Sequence, residues 1–252
     1  MRLLPDTAVR KMRVAAALSP ILAAIADNTQ VFEVEENHIP IRRLQLWREV
    51  DNLRCGTIPG IFDDGFGFEA YADWLLRTPP IFVTRPAAGD PEGERLRLFF
   101  DVPASEAYAD APMSREDVEH LTSMFWPDVR LKLFVEIRPA DSIPEECILG
   151  YTAIVKGLFY SDTSLAAIEE ALGVSPEASA ERSAWPLSKE DVDEGVAQIQ
   201  AHGLDGLVYG ETLRAWEERL FSLARRALGD EEQSYLAPLE AFAQTKPWWR
   251  LG

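Results

Sequence analysis

The sequence predicts an α+β fold, in which a few antiparallel strands with packed helices come first and a mainly helical part follows. Apolar residues recur at helical spacing up to residue 26 and again through most of the chain after residue 144. Between residues 41 and 138, short apolar runs are bounded by Pro and Gly, which is typical of strands. A chain of 252 residues with 47% hydrophobic content can bury a large core. We therefore expect a single domain, with the candidate site in residues 1–142 and mainly helices in residues 143–252.

The first elements are predicted to be helices that support the core. Asp6 or Thr7 can cap a helix that runs through Ala16. Pro20 suits the first turn of a second helix toward Ala26, because its fixed φ is already helical.

The next segment is predicted to pass from a strand into a functional loop. Residues 41–50 are expected to form a strand, or a strand leading into a loop, that delivers Trp47 and Arg48. Residues 51–67 are rich in Gly, Pro and Asp, which is typical of a loop held close to a ligand. The aromatic stripe of residues 68–75 follows a helical period and predicts a core helix.

A hairpin and a capped helix are predicted next. Residues 81–85 and 96–100 read as its two strands, with alternation that buries Leu96, Leu98 and Phe100. The Ser114–Asp117 pair is a capping signature for a helix. The core face of that helix is expected to comprise Val118, Leu121 and Phe125.

The C-terminal part is predicted to be nearly all helical. Pro144 starts a strongly periodic helix, and Gly203 and Gly229 follow later helical segments as stop signals. The expected later helices span residues 163–172, 188–201 and 211–228. Residues 173–184 are rich in Ser, Ala, Glu and Pro and are expected to form a flexible loop.

A carboxylate and a guanidinium stand two residues apart in the apolar segment 131–141. In one extended strand, Glu136 and Arg138 would share a face with Phe134. Burying the pair is costly unless another group compensates it. A Mg²⁺ ion could compensate the carboxylate, and nucleotide phosphates could compensate the guanidinium group. The alternative interpretation is that Glu136 and Arg138 form a structural ion pair and bind no ligand.

The overall charge limits the choice of partners. A formal net charge of −17 argues against a nucleic acid or an anionic membrane, because both repel an acidic surface. The two cysteines have neither metal-like nor redox-like spacing. The sequence contains no segment that reads as a signal peptide or transmembrane span, so the expected location is cytoplasmic.

Several motifs occur in an order and spacing that resemble one enzyme family. Residues 125–141 read FWPDVRLKLFVEIRPAD, close to a pattern F-P-x-V-R-L-K-x-x-x-E-x-R-x-A-D. Residues 47–56 read WREVDNLRCG and residues 62–69 read FDDGFGFE. The runs PIFVTR at 80–85 and YLAPLE at 235–240 fit as well. Together these motifs resemble glutamate-cysteine ligases of the plant and proteobacterial type, from about Val9 to Glu240.

The resemblance implies a fold, a reaction and a site. The fold would contain part of a glutamine-synthetase-like antiparallel sheet that curves around ATP. Such ligases use ATP to phosphorylate the side-chain carboxylate of glutamate, and the amine of cysteine then displaces phosphate. For this chain the expected partners are ATP, glutamate, and either cysteine or another amine as the acceptor. Glu136 would bind Mg²⁺, and Arg138 and Arg48 would be catalytic. The residues expected to bind substrate or ATP are Arg54, Arg85 and Lys132. Glu136, Arg138 and Arg48 are expected to point into one cavity.

The resemblance also leaves alternatives open. In this family a sheet-forming N-terminal half with an acidic metal-binding motif comes earlier, and no segment of the chain matches it. Pro139 stands where Gly is common. The chain is therefore expected to be a ligase chain or subunit whose remaining strands come from a homodimer or a second polypeptide, or have been lost. The alternative is a non-catalytic ligand-binding or regulatory module that keeps the fold.

Overall fold

The computed structural model describes residues 5–33, 35–86, 89–90, 92–93, 95–181, 183–244 and 246. The α-helices are α1 Pro5–Ala17, α2 Ser19–Ile25, α3 Arg42–Val50, α4 Phe68–Arg77, α5 Ala104–Ala107, α6 Arg115–Ser123, α7 Glu145–Phe159, α8 Asp162–Ala171, α9 Pro176–Glu181, α10 Lys189–His202, α11 Leu213–Ala227, α12 Asp230–Gln233 and α13 Leu236–Gln244. The strands are β1 Val31–Phe32, β2 Glu35–Glu36, β3 Cys55–Gly56, β4 Phe82–Val83, β5 Arg97–Leu98, β6 Trp126–Pro127, β7 Val129–Leu131, β8 Val135–Ile137, β9 Leu207–Val208 and β10 Glu211–Thr212.

The α+β class is confirmed, and the strands form separate pairs. The pairs β1–β2, β4–β5, β7–β8 and β9–β10 are antiparallel, whereas β3 and β6 are parallel. Each strand in the described part of the chain is two or three residues long, and none has more than one partner. A curved glutamine-synthetase-like sheet therefore stays a prediction.

The two N-terminal helices lie at the centre of the core, as predicted. Every residue of α2 is buried. Arg13 on α1 is 1% exposed, and its guanidinium donates to the carbonyl oxygens of Ile61, Asp63 and Ser183. Backbone carbonyls thus satisfy a buried cation, and α1 holds the Gly-rich loop in place.

The strand predicted at residues 41–50 is wrong, because this segment is helix α3. It contains no Gly or Pro and is rich in Arg, Leu, Gln and Glu, which are good helix formers. A left-handed Ile41, with φ of 48°, precedes the helix. The Gln45 amide donates to Glu49 one turn later, and Leu44 is the residue that α3 buries.

The hairpin of β4 and β5 forms as predicted, but the half-buried face of β5 is the one opposite to that predicted. Leu96, Leu98 and Phe100 are 50%, 59% and 64% exposed. Arg97 is half-buried instead, because it pairs with Asp110 and packs over the ring of Phe99. Alternation alone does not say which face of a short strand meets the core.

The capping box at Ser114 and Asp117 is confirmed, with each side chain accepting from the backbone N–H of the other residue. Leu121 and Phe125 are buried as expected. Val118 is 49% exposed, so its predicted place in the core is wrong.

The segment predicted as one strand from residue 131 is a hairpin. β7 ends at Leu131, the chain turns through residues 132–134, and β8 returns antiparallel to β7. Phe134 lies in the turn and is 56% exposed. It therefore does not share a strand face with Glu136, as one extended strand would require.

The C-terminal helices pack tightly on one another and on α2. At Gly157, a Cβ atom would lie 2.7 Å from the Cα of Ala224, so α7 and α11 cross in close contact. Gly203, with φ of 57°, ends α10 as predicted, whereas the loop predicted at residues 173–184 contains α9. Buried side chains from Val9 to Ala243 form one hydrophobic cluster. Among the described helices, none combines the length and the apolar character needed to cross a membrane.

The contact at Gly157 yields a first prediction. Gly157→Ala should destabilise the protein by about 1–3 kcal/mol, because the added methyl group overlaps the backbone of α11. Thr152→Ala on the exposed side of α7 is the matched control and should change stability by less than about 0.5 kcal/mol. Urea denaturation measures both, and equal effects would mean that the two helices are not in contact at Gly157.

Candidate functional site

The β7–β8 hairpin has one charged face and one apolar face. Its register pairs Arg130 with Glu136 across the strands, so both side chains point to the same side. The Arg130 guanidinium donates to both carboxylate oxygens of Glu136, at 2.6 and 3.2 Å. Its remaining terminal nitrogen donates to the Phe125 carbonyl at 2.9 Å. Because Arg130 is buried and bidentate, this pair is geometrically well defined.

Two further cations converge on Glu136. Arg138 Nη1 donates to Glu136 Oε1 at 3.1 Å, and Lys132 Nζ lies 3.8 Å from Oε2. We call Arg130, Lys132, Glu136 and Arg138 the Glu136 cluster. It holds three cations and one carboxylate, and thus an excess of two positive charges in a chain of net charge −17.

The charge of the cluster affects the ionisation of Glu136. Burial, the largest single contribution, favours the neutral acid. The Arg130 hydrogen bond and the charges of Arg130, Arg138 and Lys132 together outweigh burial and lower the pKa of Glu136. The carboxylate is therefore ionised at neutral pH and keeps the three cations together.

Arg48 lies on α3 and is held by two carboxylates. Its Nη2 donates to buried Asp128 at 3.0 Å, and its Nη1 lies 3.0 Å from the more exposed Asp193 of α10. The Nη1 contact is not aligned as a hydrogen bond, and the buried Nε has no acceptor in the described part of the chain. Asp128 also binds the backbone N–H of Arg138 through its carbonyl, at 3.0 Å. Asp128 therefore connects the two arginines predicted to be catalytic.

Arg54 and Arg85 form their hydrogen bonds and ion pairs with residues outside the Glu136 cluster. Arg54 pairs with Asp51 and donates to the carbonyl of Pro79. Arg85 pairs with Asp110 at 2.8 Å and Asp117 at 3.2 Å, and it also donates to three backbone carbonyls. These contacts hold loops together. The predicted roles of both arginines in substrate binding stay predictions.

Two cavities adjoin the candidate residues. Arg138 and Asp128 line a space of about 10 Å³ beside the stacked rings of Trp47 and Trp126, which is room for one water molecule. A groove of about 830 Å³ runs along the apolar face of the hairpin, and Lys132 is the predicted site residue that lines it. Neither cavity is lined by Glu136 or Arg48, so the shared cavity predicted for Glu136, Arg138 and Arg48 is not found in either one.

Comparison with known proteins identifies the family of this chain. Residues 4–245 match the glutamate-cysteine ligase family 2. The chain belongs to this family. It is 37% identical over 158 residues to the chloroplastic glutamate–cysteine ligase of Nicotiana tabacum, a match that covers 62% of this chain and 30% of the relative.

Other plant relatives give a similar result. Identity is 37% over 163 residues to the chloroplastic glutamate–cysteine ligase B of Oryza sativa subsp. japonica, covering 64% of this chain and 33% of the relative. The chloroplastic glutamate–cysteine ligase of Arabidopsis thaliana is 36% identical over 161 residues, covering 64% and 31%. The chain thus spans about a third of the length of the curated relatives it matches.

The described side chains do not by themselves form the magnesium site expected from this family. They contain no group of three or more His, Cys, Asp or Glu residues arranged to hold a metal ion. Both oxygens of Glu136 accept hydrogen bonds from guanidinium groups, which occupy the positions a cation would take. The role of Glu136 as a metal ligand therefore stays a prediction, and its observed role is to orient arginines.

The sequence suggests Arg130 only as one of five arginines of a cationic pocket, without a partner or a role of its own, and it does not suggest Asp128 at all. Arg130 meets Glu136 only because the chain turns at residues 132–134, and that turn has no Gly, Asn or Pro to signal it. Asp128 meets Arg48 across 80 residues of sequence. Arg43 was missed as well; it donates to the carbonyl of Arg138, and burial lowers its pKa.

The lowered pKa of Glu136 leads to a second prediction. Glu136→Gln should cost about 1–3 kcal/mol at neutral pH, because the cations lose a charged acceptor. A carboxyl group with a lowered folded-state pKa stabilises the protein above its ordinary pKa, and this contribution is lost as the pH falls through the lowered value. The difference in the free energy of unfolding between wild type and Glu136→Gln should therefore become smaller as the pH is lowered from about 7 to about 3.

Urea denaturation across this range measures the Glu136 difference. The control is Glu119→Gln, which removes an exposed pair with Arg115 and should cost less than about 0.5 kcal/mol at neutral pH. A difference for Glu136→Gln that stays constant with pH would show that its charge does not hold the cluster.

The two partners of Arg48 lead to a third prediction. Asp128→Ala should lower the free energy of unfolding by about 3 kcal/mol, because the buried Arg48 guanidinium group loses one of its two carboxylate partners. Asp193→Ala should cost less than about 1 kcal/mol, because that carboxylate is 38% exposed and water can replace it. Denaturation of both variants gives the comparison, and equal losses would contradict the assignment of Asp128 as the main anchor.

Proposed function

We propose that this protein takes part in the ATP-dependent formation of a γ-glutamyl peptide bond between glutamate and cysteine, through γ-glutamyl phosphate. Family membership supports the reaction class. The structural observation that carries the proposal is the excess of positive charge in the Glu136 cluster. The guanidinium and ammonium groups around Glu136 can donate hydrogen bonds to the phosphate and carboxylate oxygens of ATP and glutamate.

The proposed chemistry has two steps. A γ-carboxylate oxygen of glutamate attacks the terminal phosphorus of ATP, and ADP leaves. The cysteine amine then attacks the acyl carbon, phosphate leaves with the electrons of the broken C–O bond, and the nitrogen loses a proton. Negative charge on the transferred phosphoryl group requires positive groups at fixed positions. Arg138 is proposed to supply one of them.

The remaining candidate residues are proposed to have distinct roles. Arg130 orients Arg138 by fixing the carboxylate that both guanidinium groups share. Lys132 lies between that carboxylate and the large groove, where it can contact an anion directly. Arg48 is proposed to act in catalysis together with Arg138, to which Asp128 connects it. Arg54 and Arg85 would support the site by holding loops.

A second candidate function is a non-catalytic ligand-binding or regulatory module. The specific observation in its favour is that the described carboxylates do not form a metal site. Such a module would bind ATP or glutamate through the cations without turning them over. A homodimer or a second polypeptide is proposed as a partner for either function. The cytoplasmic location also remains a proposal.

Calorimetry with ATP tests the shared part of both functions and gives the fourth prediction. ATP should bind with or without Mg²⁺, and Arg138→Met should weaken binding at least about tenfold, because a charge-assisted hydrogen bond contributes about 1.5–3 kcal/mol. The matched control is Arg225→Met. Arg225 of α11 is partly exposed and pairs with Glu240 of α13. This substitution should leave ATP binding unchanged.

A phosphate-release assay with ATP, glutamate and cysteine separates the two functions. Release that needs both amino acids and is lost in Arg138→Met supports the ligase. ATP binding without release supports the non-catalytic module. No heat, together with no protection of the protein by ATP against thermal unfolding, would contradict both.

A further inference from the structure

The outer edge of β8 offers backbone groups without a partner. Residue pairs in antiparallel strands alternate between hydrogen-bonded and non-hydrogen-bonded positions. Arg138 donates to Asp128 at 3.0 Å and Lys132 donates to Phe134 at 2.9 Å, so the pair between them, Arg130 and Glu136, is also hydrogen-bonded. The N–H and C=O groups of Val135 and Ile137 must therefore point away from β7.

The two edges of the hairpin differ. On β7, the outward N–H and C=O of Leu131 both contact the Tyr71 hydroxyl, at 3.2 and 3.4 Å. On β8, no described group forms a hydrogen bond with the outward groups of Val135 or Ile137. An unpaired strand edge of this kind is a template for pairing with another strand.

An apolar groove adjoins this edge. We call it the β8 groove, the space of about 830 Å³ lined by Val135 and Ile137 of β8, Lys132 of the turn, Lys11 of α1, and Tyr151 and Val155 of α7. Large apolar side chains at its margin are exposed to water, including Leu133 at 83%, Phe134 at 56% and Tyr160 at 76%. Side chains of an added strand could bury this surface.

The charges around the β8 groove favour a binding partner that carries negative charge. Both charged side chains that line it, Lys11 and Lys132, are cationic, and no carboxylate lines it. Burial lowers the pKa of Lys11, and its Nζ lies 4.8 Å from the ring centroid of Tyr160. In a chain of net charge −17, this is a local site for negative charge.

We propose that the edge of β8 accepts a third strand from a separate polypeptide, an extended segment in which apolar residues alternate and acidic residues flank them. Its backbone would hydrogen-bond to Val135 and Ile137. Its apolar side chains would enter the β8 groove, and its carboxylates would meet Lys11 and Lys132. A second copy of this chain fits less well, because two molecules of net charge −17 repel each other. The inference does not depend on the ligase chemistry.

A synthetic peptide tests this proposal as the fifth prediction. The probe is an acetylated peptide of about eight residues, long enough for one strand, with alternating Val and Thr between terminal Glu residues. NMR hydrogen exchange of the whole protein should show the amides of Val135 and Ile137 becoming protected on binding. A peptide with Lys in place of Glu should bind about tenfold more weakly, because two cations then face like charges.

Two variants and one control locate the docking surface. Ile137→Pro removes an outward N–H without removing a bond to β7, a position where strands tolerate proline, and should abolish binding. Lys11→Glu leaves the hairpin unchanged. It should weaken binding of the acidic peptide and strengthen binding of the Lys peptide. The control Leu98→Lys changes an exposed apolar residue on the β4–β5 hairpin and should have no effect on binding of either peptide.

Three results would overturn the proposal. The first is no binding of the acidic peptide at millimolar concentration. The second is binding that leaves the exchange of Val135 and Ile137 unchanged or is insensitive to Lys11→Glu. The third is self-association of the protein, seen by sedimentation and lost in Ile137→Pro, because a second copy would then occupy the edge.

Discussion

The hydrogen-bonded pair of Arg130 and Glu136 is the interaction on which the candidate site depends. It joins β7 to β8 at a position where backbone and side chains both connect the strands. A register slip of one residue would move Glu136 to the apolar face, away from the guanidinium group of Arg130. The desolvation cost of the carboxylate is offset because three cations surround it. The same pair therefore fixes the register, the position of Arg138 and the local excess of positive charge.

The positive charge is connected to the rest of the fold through Asp128. Its carboxylate holds Arg48 of α3, and its carbonyl holds the backbone of Arg138 at the end of β8. The stacked rings of Trp47 and Trp126 close the space beside them to about 10 Å³. The structure therefore shows both arginines in ion-paired arrangements beside a space that is too small for a nucleotide phosphate.

Part of this architecture could be predicted from the sequence because its causes are local. The helix at α4 follows from apolar periodicity, and the start of α6 follows from the reciprocal bonds of Ser114 and Asp117. Short segments were less predictable. Residues 41–50 have helix-forming side chains but lie between loops, and residues 132–134 turn without Gly or Pro.

The site was only partly predictable for a related reason. Glu136, Arg138 and Lys132 lie close in sequence, and the structure brings them together. The contacts of Arg48 with Asp128 and Asp193 connect distant segments, and spacing along the chain carries no information about them. Arg85 lies in a motif that resembles the family, yet its carboxylate and carbonyl partners occupy its guanidinium. A motif places a residue in a family pattern, but only packing determines which groups it contacts.

The central claim is that the cations around Glu136 form one electrostatic unit that can accept an anionic substrate. Carbon-13 NMR of the Glu136 carboxyl group, titrated with acid in the absence and presence of saturating metal-free ATP, tests it most directly. The account predicts a pKa of Glu136 below the ordinary glutamate range in the free protein, and a higher pKa with ATP bound, because phosphate then shares the same cations. An ordinary pKa that ATP does not change would contradict it.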